Sequence, residues 1–533
     1  MLSYLNKKLK FIKHKPPTNY ESNQNSKKEL KLSSSLTKNL NTLKGIIGTS
    51  SDTIYREFSF GSKMQIKAAL IFFKGLTEKK IINQTIMKPF MYDDRIKSLE
   101  PDLSSGILKV VKDGLISVGD VKESDDINNL VSTCLSGNTI FLLDGSNKAL
   151  IVDTQGWPSR AIEEPKTDVV IRGPREGFSE NLNSNMSLLR RKIKNPNLTF
   201  ENMKIGKQTD TDICLVYLKN VVNPKLIEEI RTRLDKIDTD SILESGYIEQ
   251  YIEDESFSIF PTIGNSEKPD IVAAKILEGR AAILVDGTPF ALTVPMLFIE
   301  GFQSSEDYYS RPYYASFIRI LRFVSFSISI LLPVTYVALS TFHQELIPTT
   351  LLFTMAAAHE GVPFPAFLEA LMMMIVFEIL REAGIRLPRN VGQAVSIVGA
   401  LVIGEAVVSA GLVGGIMVIV VALTAIASFV VPSYTDVTAI LRLLLLFLGA
   451  LLGIYGIGIG LLAVLIHLVS LRSFGTPYLS PLAPVTARDL KDSFLRFPLW
   501  SMFTRPRTIG WHNLRKSNSG NKPVKPSHRN SKE

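Results

Sequence analysis

The sequence predicts an α+β protein continuous with a membrane α-helical one: a duplicated two-lobe α/β soluble domain, then a multi-span helical domain with one broken helix. Three observations carry this. The chain has 533 residues, too many for one compact domain. No lysine lies between Lys275 and Lys491, and that gap holds nearly all the long apolar runs. Lysine is strongly hydrated and costly at bilayer depth, so the gap outlines a membrane region without reference to hydropathy. Before the gap, one strand–helix–helix–hairpin order occurs twice, offset by about 140 residues.

Residues 1–50 are rich in Lys, Ser and Asn, and such a composition cannot bury enough apolar area to order itself, so the segment is expected to be disordered. Its first 17 residues are basic without a continuous apolar run, and no secretory signal is expected. The first lobe, 51–172, has a buried strand at 68–73, helices near 78–90 and 125–135, then a hairpin built on Thr139–Leu143, Asp144-Gly145 and Ala149–Val152. The second, 208–310, has a strand at 213–218, a helix capped by Asn223 with Pro224 at its first position, a helix near 270–277, and a hairpin around Asp286-Gly287. Asp-Gly between apolar runs signals a type I′ turn. A joint, 173–207, separates the lobes. Its Gly173, Pro174, Arg175, Glu176 and Phe178 make a specific turn rather than a flexible linker, either an inter-lobe joint or a contact surface for partner subunits.

Catalytic and metal chemistry find no support. The six histidines are scattered, and no GxSxG, HExxH, GxGxxG or GxxxxGK[ST] context occurs. Cys134 and Cys214 lack metal or disulfide spacing and read as buried reduced thiols. No enzyme activity and no cofactor are expected. The formal net charge of +9 sits mostly at the two ends, which suggests anionic lipid as a partner rather than nucleic acid.

The membrane domain spans 311–470, and a basic cytoplasmic tail follows at 471–533. Residues 317–342 are long enough to cross a bilayer. Residues 348–358 are apolar but too short; His359-Glu360-Gly361-Val362-Pro363-Phe364-Pro365 interrupts them, and 366–380 resumes. Pro363 and Pro365 remove backbone donors and break the helix, which is tolerated only where protein or a wet cavity surrounds it. Two spans follow at 391–410 and 412–431, rich in small residues that allow close helix approach. Residues 441–468 are either one tilted helix or a hairpin bent at 453–460. Arginines at 311, 319, 322, 381, 386 and 389 and in the tail place the soluble domain and both termini inside. That requires an even number of crossings and favours the hairpin, within a total of about four to six segments.

Ionisable residues here are read as functional by default. Glu369 and Glu405 are the leading candidates for a polar membrane site or ion path, with His359 and Glu360 beside the break. Both glutamates are expected about 8 Å below the outer face, either lining a path or buried against hydrogen-bond partners between helices. Glu378, Arg381 and Glu382 have the spacing of an interfacial ion pair.

The chain resembles the A subunit of the spore germinant receptors of endospore-forming bacteria. The match covers about 55–480. It rests on Gly173 to Phe178 with Glu180-Asn181, Val285-Asp286-Gly287, Phe302-Gln303-Ser304 with Glu306-Asp307-Tyr308-Tyr309, and Ile347-Pro348-Thr349. Further matches are Val362-Pro363-Phe364-Pro365, Glu369-Ala370, Arg381-Glu382-Ala383-Gly384, Ala394 to Gly404, Arg472-Ser473-Phe474-Gly475 and Pro477-Tyr478. His359 departs from the pattern, which commonly carries Arg there. The resemblance implies a multi-pass subunit of the spore inner membrane. It would work with a transporter-like B subunit, to which nutrient binding is generally attributed, and a lipoprotein C subunit. The A subunit is similar to a ring-forming, ligand-gated, ion-conducting component. A non-conducting scaffold and a secondary transporter of small solutes are the alternatives.

Overall fold

The computed structural model describes residues 30–61, 64–92, 104–112, 120–156, 165, 170–386, 404–486, 488–510, 515–517 and 523. The chain forms two compact units, Met1–Trp157 with Lys194–Pro196, and Pro158–Ile193 with Asn197–Glu533.

The first unit is one lobe. Its helices are α1 (Leu36–Ile47), α2 (Lys79–Ile81, continuing through Ile82–Met87 to Lys88–Tyr92), α3 (Ser104–Val110) and α4 (Ile127–Cys134). Its strands are β1 (Thr53–Phe60), β2 (Ile66–Phe73), β3 (Val121–Ser124), β4 (Thr139–Leu143) and β5 (Ala149–Val152), antiparallel in the order β1-β2-β4-β5-β3. Both faces of the sheet are covered. Ala69, Ile71 and Phe73 cluster with the α1 and α4 side chains; Ala68, Leu70 and Phe72 cluster with Ile86 and Phe90 of α2. Two-sided burial explains why β2 reads as an unbroken apolar run instead of alternating.

Helix α1 corrects the expectation of disorder for residues 36–47, while residues 1–29 lie outside the described residues. Leu36, Leu40, Leu43 and Ile47 form one buried stripe of this helix. The intervening Lys, Asn and Thr dilute the stripe in an averaged composition, but spacing rather than average decides whether a helix can bury a face.

The second unit opens with an equivalent lobe: α5 (Leu182–Lys192), α6 (Pro224–Asp235), α7 (Ser245–Ile252) and α8 (Pro269–Glu278), with β6 (Leu198–Ile205), β7 (Thr211–Leu218), β8 (Gly264–Ser266), β9 (Ala281–Val285) and β10 (Ala291–Val294). The strand order is β6-β7-β9-β10-β8, the order of the first lobe strand for strand. Finer geometry repeats as well. Asp144 Oδ1 accepts from Leu36 N, and Asp286 Oδ1 from Leu182 N, each at 2.9 Å. Asn39 exchanges two hydrogen bonds with the Ser33 backbone, and Asn185 does the same with Ser179. Each turn aspartate thus satisfies an orphan donor at the start of a distant helix.

This corrects the type I′ reading of the Asp-Gly turns. Gly145 (φ 82°) and Gly287 (φ 89°) are left-handed, but Asp144 and Asp286 are not. A type I′ turn needs positive φ at both positions. The loops run from β4 to β5 and from β9 to β10 through five residues, and the aspartates are committed to helix capping.

After a short helix α9 (Glu306–Tyr309), the unit continues as α10 (Pro312–Phe342), α11 (Thr349–His359), α12 (Ala366–Arg386), α13 (Gly415–Phe429) and α14 (Thr435–Ser470), with further helix over 404–409. Among the described residues, two stretches are long and apolar enough to cross a membrane, Pro312–Phe342 and Pro432–Ser470. Most of the span expected at 391–410, with its small residues at 392–400, lies outside the described residues.

Helix α14 is not one rod. Gly453 has φ 60° and ψ −140°, values no helix tolerates. Drawn straight, 36 residues would extend roughly 54 Å. Yet Phe260 packs on both Tyr434, just before the helix, and His467 near its end, with ring centroids 6.4 and 6.1 Å away. The helix therefore folds back at Gly453 into two arms, 435–452 and 454–470.

The tail also differs from a solvated basic extension. Strand β11 (Arg472–Ser473) pairs with β12 (Thr476–Pro477), and Ser473 Oγ donates to Thr262 O (2.6 Å) while accepting from Met296 N (3.0 Å). Further on, Asp492 pairs with Arg319 (2.9 Å) and accepts from Tyr308 OH (2.8 Å); its backbone oxygen accepts from Gln303 Nε2 (2.6 Å). The tail thus adds a second carboxylate to buried Arg319, which Asp307 already pairs at 3.0 Å.

Candidate functional site in the helical block

Helices α11 and α12 are separated by 360–365, which contains Pro363 and Pro365. Proline cannot donate to the helical ladder and disfavours helix in the residue before it, so two prolines two apart stop α11 and restart the chain at α12. The restart places Glu369 in the first turn of α12, fully buried. Its Oε2 accepts from Gly414 N at 2.8 Å, and His359 Nδ1 stands 3.1 Å from Oε1. Tyr336 OH of α10 lies 3.2 Å from His359 Nε2. Four elements thus meet on one carboxylate: α10, the end of α11, the start of α12 and the residue preceding α13. The His359 contact is not an aligned hydrogen bond, which leaves Oε1 without a hydrogen-bond donor among the described residues. Glu360, next to His359, is exposed.

Glu405 is separate from this cluster. It is exposed on the helical stretch 404–409. A Cβ built on Gly404 would lie 3.7 Å from Val418, whereas Glu369 is tied to Gly414, four residues earlier.

The third polar feature lies one face further along α12. Glu378 pairs with Arg381 at 2.8 Å, while Glu382 pairs with Arg386 at 2.6 Å. Glu378 also takes a second partner, Arg442 of α14, at 2.6 Å. Arg442 is 2% exposed and is the residue that sequence reasoning missed. The signal was present: Arg442 is the second residue of the apolar run 441–468, where any charge calls for a partner.

Gly173, Pro174, Arg175, Glu176 and Phe178 pack on the second lobe. Ile171 N and Arg172 N both donate to Glu306 Oε1, Phe178 N donates to Glu267 O (2.7 Å), and Glu176 pairs with Arg191 and Lys192 at 3.3 and 3.4 Å. Gly173 has φ 151°, and a Cβ there would come within 2.9 Å of the Tyr309 ring. Among the described residues, no three His, Cys, Asp or Glu side chains are placed to hold a metal ion.

The arrangement is a set of buried or paired charges joining apolar helices, with one exposed carboxylate. Such a set can attract and position cations and couple helix movements; it contains no nucleophile–base pair. Comparison with known proteins places the chain in a family. The family model for the Bacillus/Clostridium GerA spore germination protein matches residues 41–508. Spore germination protein KA of Bacillus subtilis (strain 168) is 48% identical over 488 residues, 91% of this chain and 89% of that protein. Spore germination protein GerLA of Bacillus cereus is 39% identical over 484 residues, 90% of this chain and 97% of that one. A crystal structure of the N-terminal domain of the A subunit of the Bacillus megaterium spore germinant receptor GerK3 is 38% identical, covering 50% of this chain and 97% of its own, with a TM-score of 0.40. The chain belongs to the GerA family of spore germination proteins.

Proposed function

We propose that this protein is the A-type membrane subunit of a spore nutrient receptor and forms, with other copies of itself, the ion-conducting part whose opening starts germination. The observation that carries the reading is Glu405. It is exposed on the single chain, on a helix whose neighbours are apolar. A carboxylate facing hydrocarbon is costly, so its surroundings in the assembly are water or a polar partner. A ring of such carboxylates attracts cations and rejects anions.

In this reading the membrane is crossed six times: by α10, α12, the segment ending at 404–409, α13 and the two arms of α14. The soluble lobes and the tail are cytoplasmic, and the membrane is the inner one of the spore. The two lobes, alike in strand order and in their aspartate caps, descend from one duplicated unit, and 173–207 joins them. A transporter-like subunit and a lipoprotein subunit are the partners that family membership suggests.

The test is flux through the purified receptor complex in liposomes. Nutrient-dependent cation flux that loses its cation preference in Glu405→Gln supports the reading. A correctly assembled complex that never conducts leaves a scaffold instead.

A further inference from the structure

Part of the tail turns its apolar residues outward and its charge inward. Residues 494–500 read Phe-Leu-Arg-Phe-Pro-Leu-Trp. Phe494, Leu495, Phe497, Leu499 and Trp500 are between 39% and 58% exposed, whereas Arg496 is 3% exposed. A surface that meets water has the opposite order. An exposed apolar patch around a buried charge calls for a covering medium.

Position identifies that medium. Ser316 Oγ of α10 accepts from Arg496 N at 3.0 Å and donates to Arg496 O at 3.2 Å, while the Phe494 ring lies 4.7 Å from that of Phe323. The strip is therefore fastened along the first turns of α10. A hydrocarbon core takes about twenty helical residues, and twenty counted back from Phe342, the last residue of α10, end at Phe323. Ser316, seven positions earlier, sits about 10 Å beneath that edge, at headgroup depth. Tyr313, Tyr314 and Phe317 are exposed at the same level of α10. Aromatic rings gather at this depth, where one side is apolar and the other wet.

Charge points the same way. Arg488 and Lys491 line a cavity of about 550 Å³ together with Leu499 and Trp500. Four basic and three acidic side chains line it, and the acids are engaged within the protein: Asp492 pairs with Arg319, Asp489 accepts from Arg507 N at 3.1 Å, and Glu278 lies 3.6 Å from Arg280. Of the cations, Arg505 donates to the Leu277 and Arg515 carbonyls and Lys516 acts on Glu278. Among the described residues, Arg488 and Lys491 make no ion pair. Basic side chains beside an apolar strip are the composition of a segment that lies in an anionic membrane surface.

We infer that residues 494–500 are an interfacial anchor: after the last crossing the tail returns to the inner leaflet, seats its aromatic rings at headgroup level, and draws anionic phospholipid headgroups to Arg488 and Lys491. The inference rests on the six-crossing reading above, because depth is counted along α10.

Trp500 reports on it directly. The chain has three tryptophans, so the full chain carrying Trp157→Phe and Trp511→Phe leaves Trp500 as the single emitter. This protein is placed in nanodiscs containing phosphatidylglycerol or phosphatidylcholine at equal mole fraction, brominated high on the acyl chains. The expected result is quenching of Trp500 by both lipids, with phosphatidylglycerol preferred about fivefold or more. Arg488→Gln/Lys491→Gln should abolish the preference and keep the quenching. The control is Leu462→Trp in the chain with Trp500→Phe as well, at an exposed position midway along the second arm of α14, which lipid brominated deep in its chains should quench. An unquenched control overturns the six-crossing reading and the anchor with it. A quenched control beside an unquenched Trp500 overturns the anchor alone, its emission then showing water or a second protein surface as the cover. Equal quenching by the two lipids, or a preference that survives the double substitution, overturns the assignment of Arg488 and Lys491.

Discussion

Leu445 and Gly460 touch. They are fifteen positions apart in α14, about 22 Å along a straight helix, yet a Cβ on Gly460 would overlap Leu445 Cδ2. Gly456 is held as tightly against the Leu448 carbonyl, and Gly449 against Val334 of α10. Glycine is what lets the two arms and α10 approach so closely. Gly456→Ala should therefore cost about 1–3 kcal/mol and sharply lower the yield of monodisperse protein in detergent. Gly458→Ala, with open space around its Cβ, should leave the yield unchanged.

The Glu378–Arg442 pair bridges α12 and α14. Removing one partner strands a buried charge, whereas removing both does not. Glu378→Met leaves buried Arg442 without its carboxylate and should destabilise by about 3–5 kcal/mol, and the Glu378→Met/Arg442→Met double variant should recover most of that loss. Thermal unfolding of the four proteins in one detergent measures the coupling.

Glu369→Gln keeps the shape at the break but removes the charge beside His359 and weakens acceptance from Gly414. The expected cost is about 1–3 kcal/mol, seen as a lower unfolding temperature. Glu405→Gln, exposed and unburdened by packing, should leave the unfolding temperature alone and alter cation preference in the liposome assay. A reversal of these two patterns would exchange the roles of the two residues.

Gly173→Val places a branched side chain against the Tyr309 ring in a backbone conformation that favours glycine. The Tyr309–Asp270 bond at 2.6 Å should break, at a cost of about 2–3 kcal/mol. Faster proteolysis near 170–178 than in the parent protein is the measurement.

The second lobe should also show a pH signature. Glu249 ionises near its ordinary value of 4.5 when unfolded and near about 7 when folded. Between those values the folded state holds the extra proton, so this group's stabilising contribution is present below about pH 4.5 and is lost as pH rises through about 7. Glu249→Gln should raise the unfolding temperature at pH 8 and do little at pH 4.5.

The central strands were legible because each is buried on both faces: 68–73 and 213–218 carry no competing polar alternation. The edge strands β1 and β6 were not, because Arg56-Glu57 and Glu201-Asn202 interrupt them on the solvent side. The helix break was legible from Pro363 and Pro365, a purely local effect. The partner of Glu378 was not, since it sits 64 residues away and only tertiary packing brings Arg442 to it. The tail's contact with α10 was not legible for the same reason. Its net basic composition suggested a lipid contact, but the side chain that matters there is an aspartate, Asp492.

That aspartate imposes an order on the protein's birth. Arg319 is translated 173 residues before the carboxylate that completes its surroundings. At a ribosomal pace of about 5–20 residues per second, the junction waits roughly ten to thirty-five seconds for its last strap. During that interval α10 to α14 emerge, while Asp307, already made, pairs with Arg319 at 3.0 Å and with Arg322 at 2.9 Å. A chain truncated before 492 would carry α10 to α14 yet leave Arg319 with one carboxylate where the longer chain gives it two.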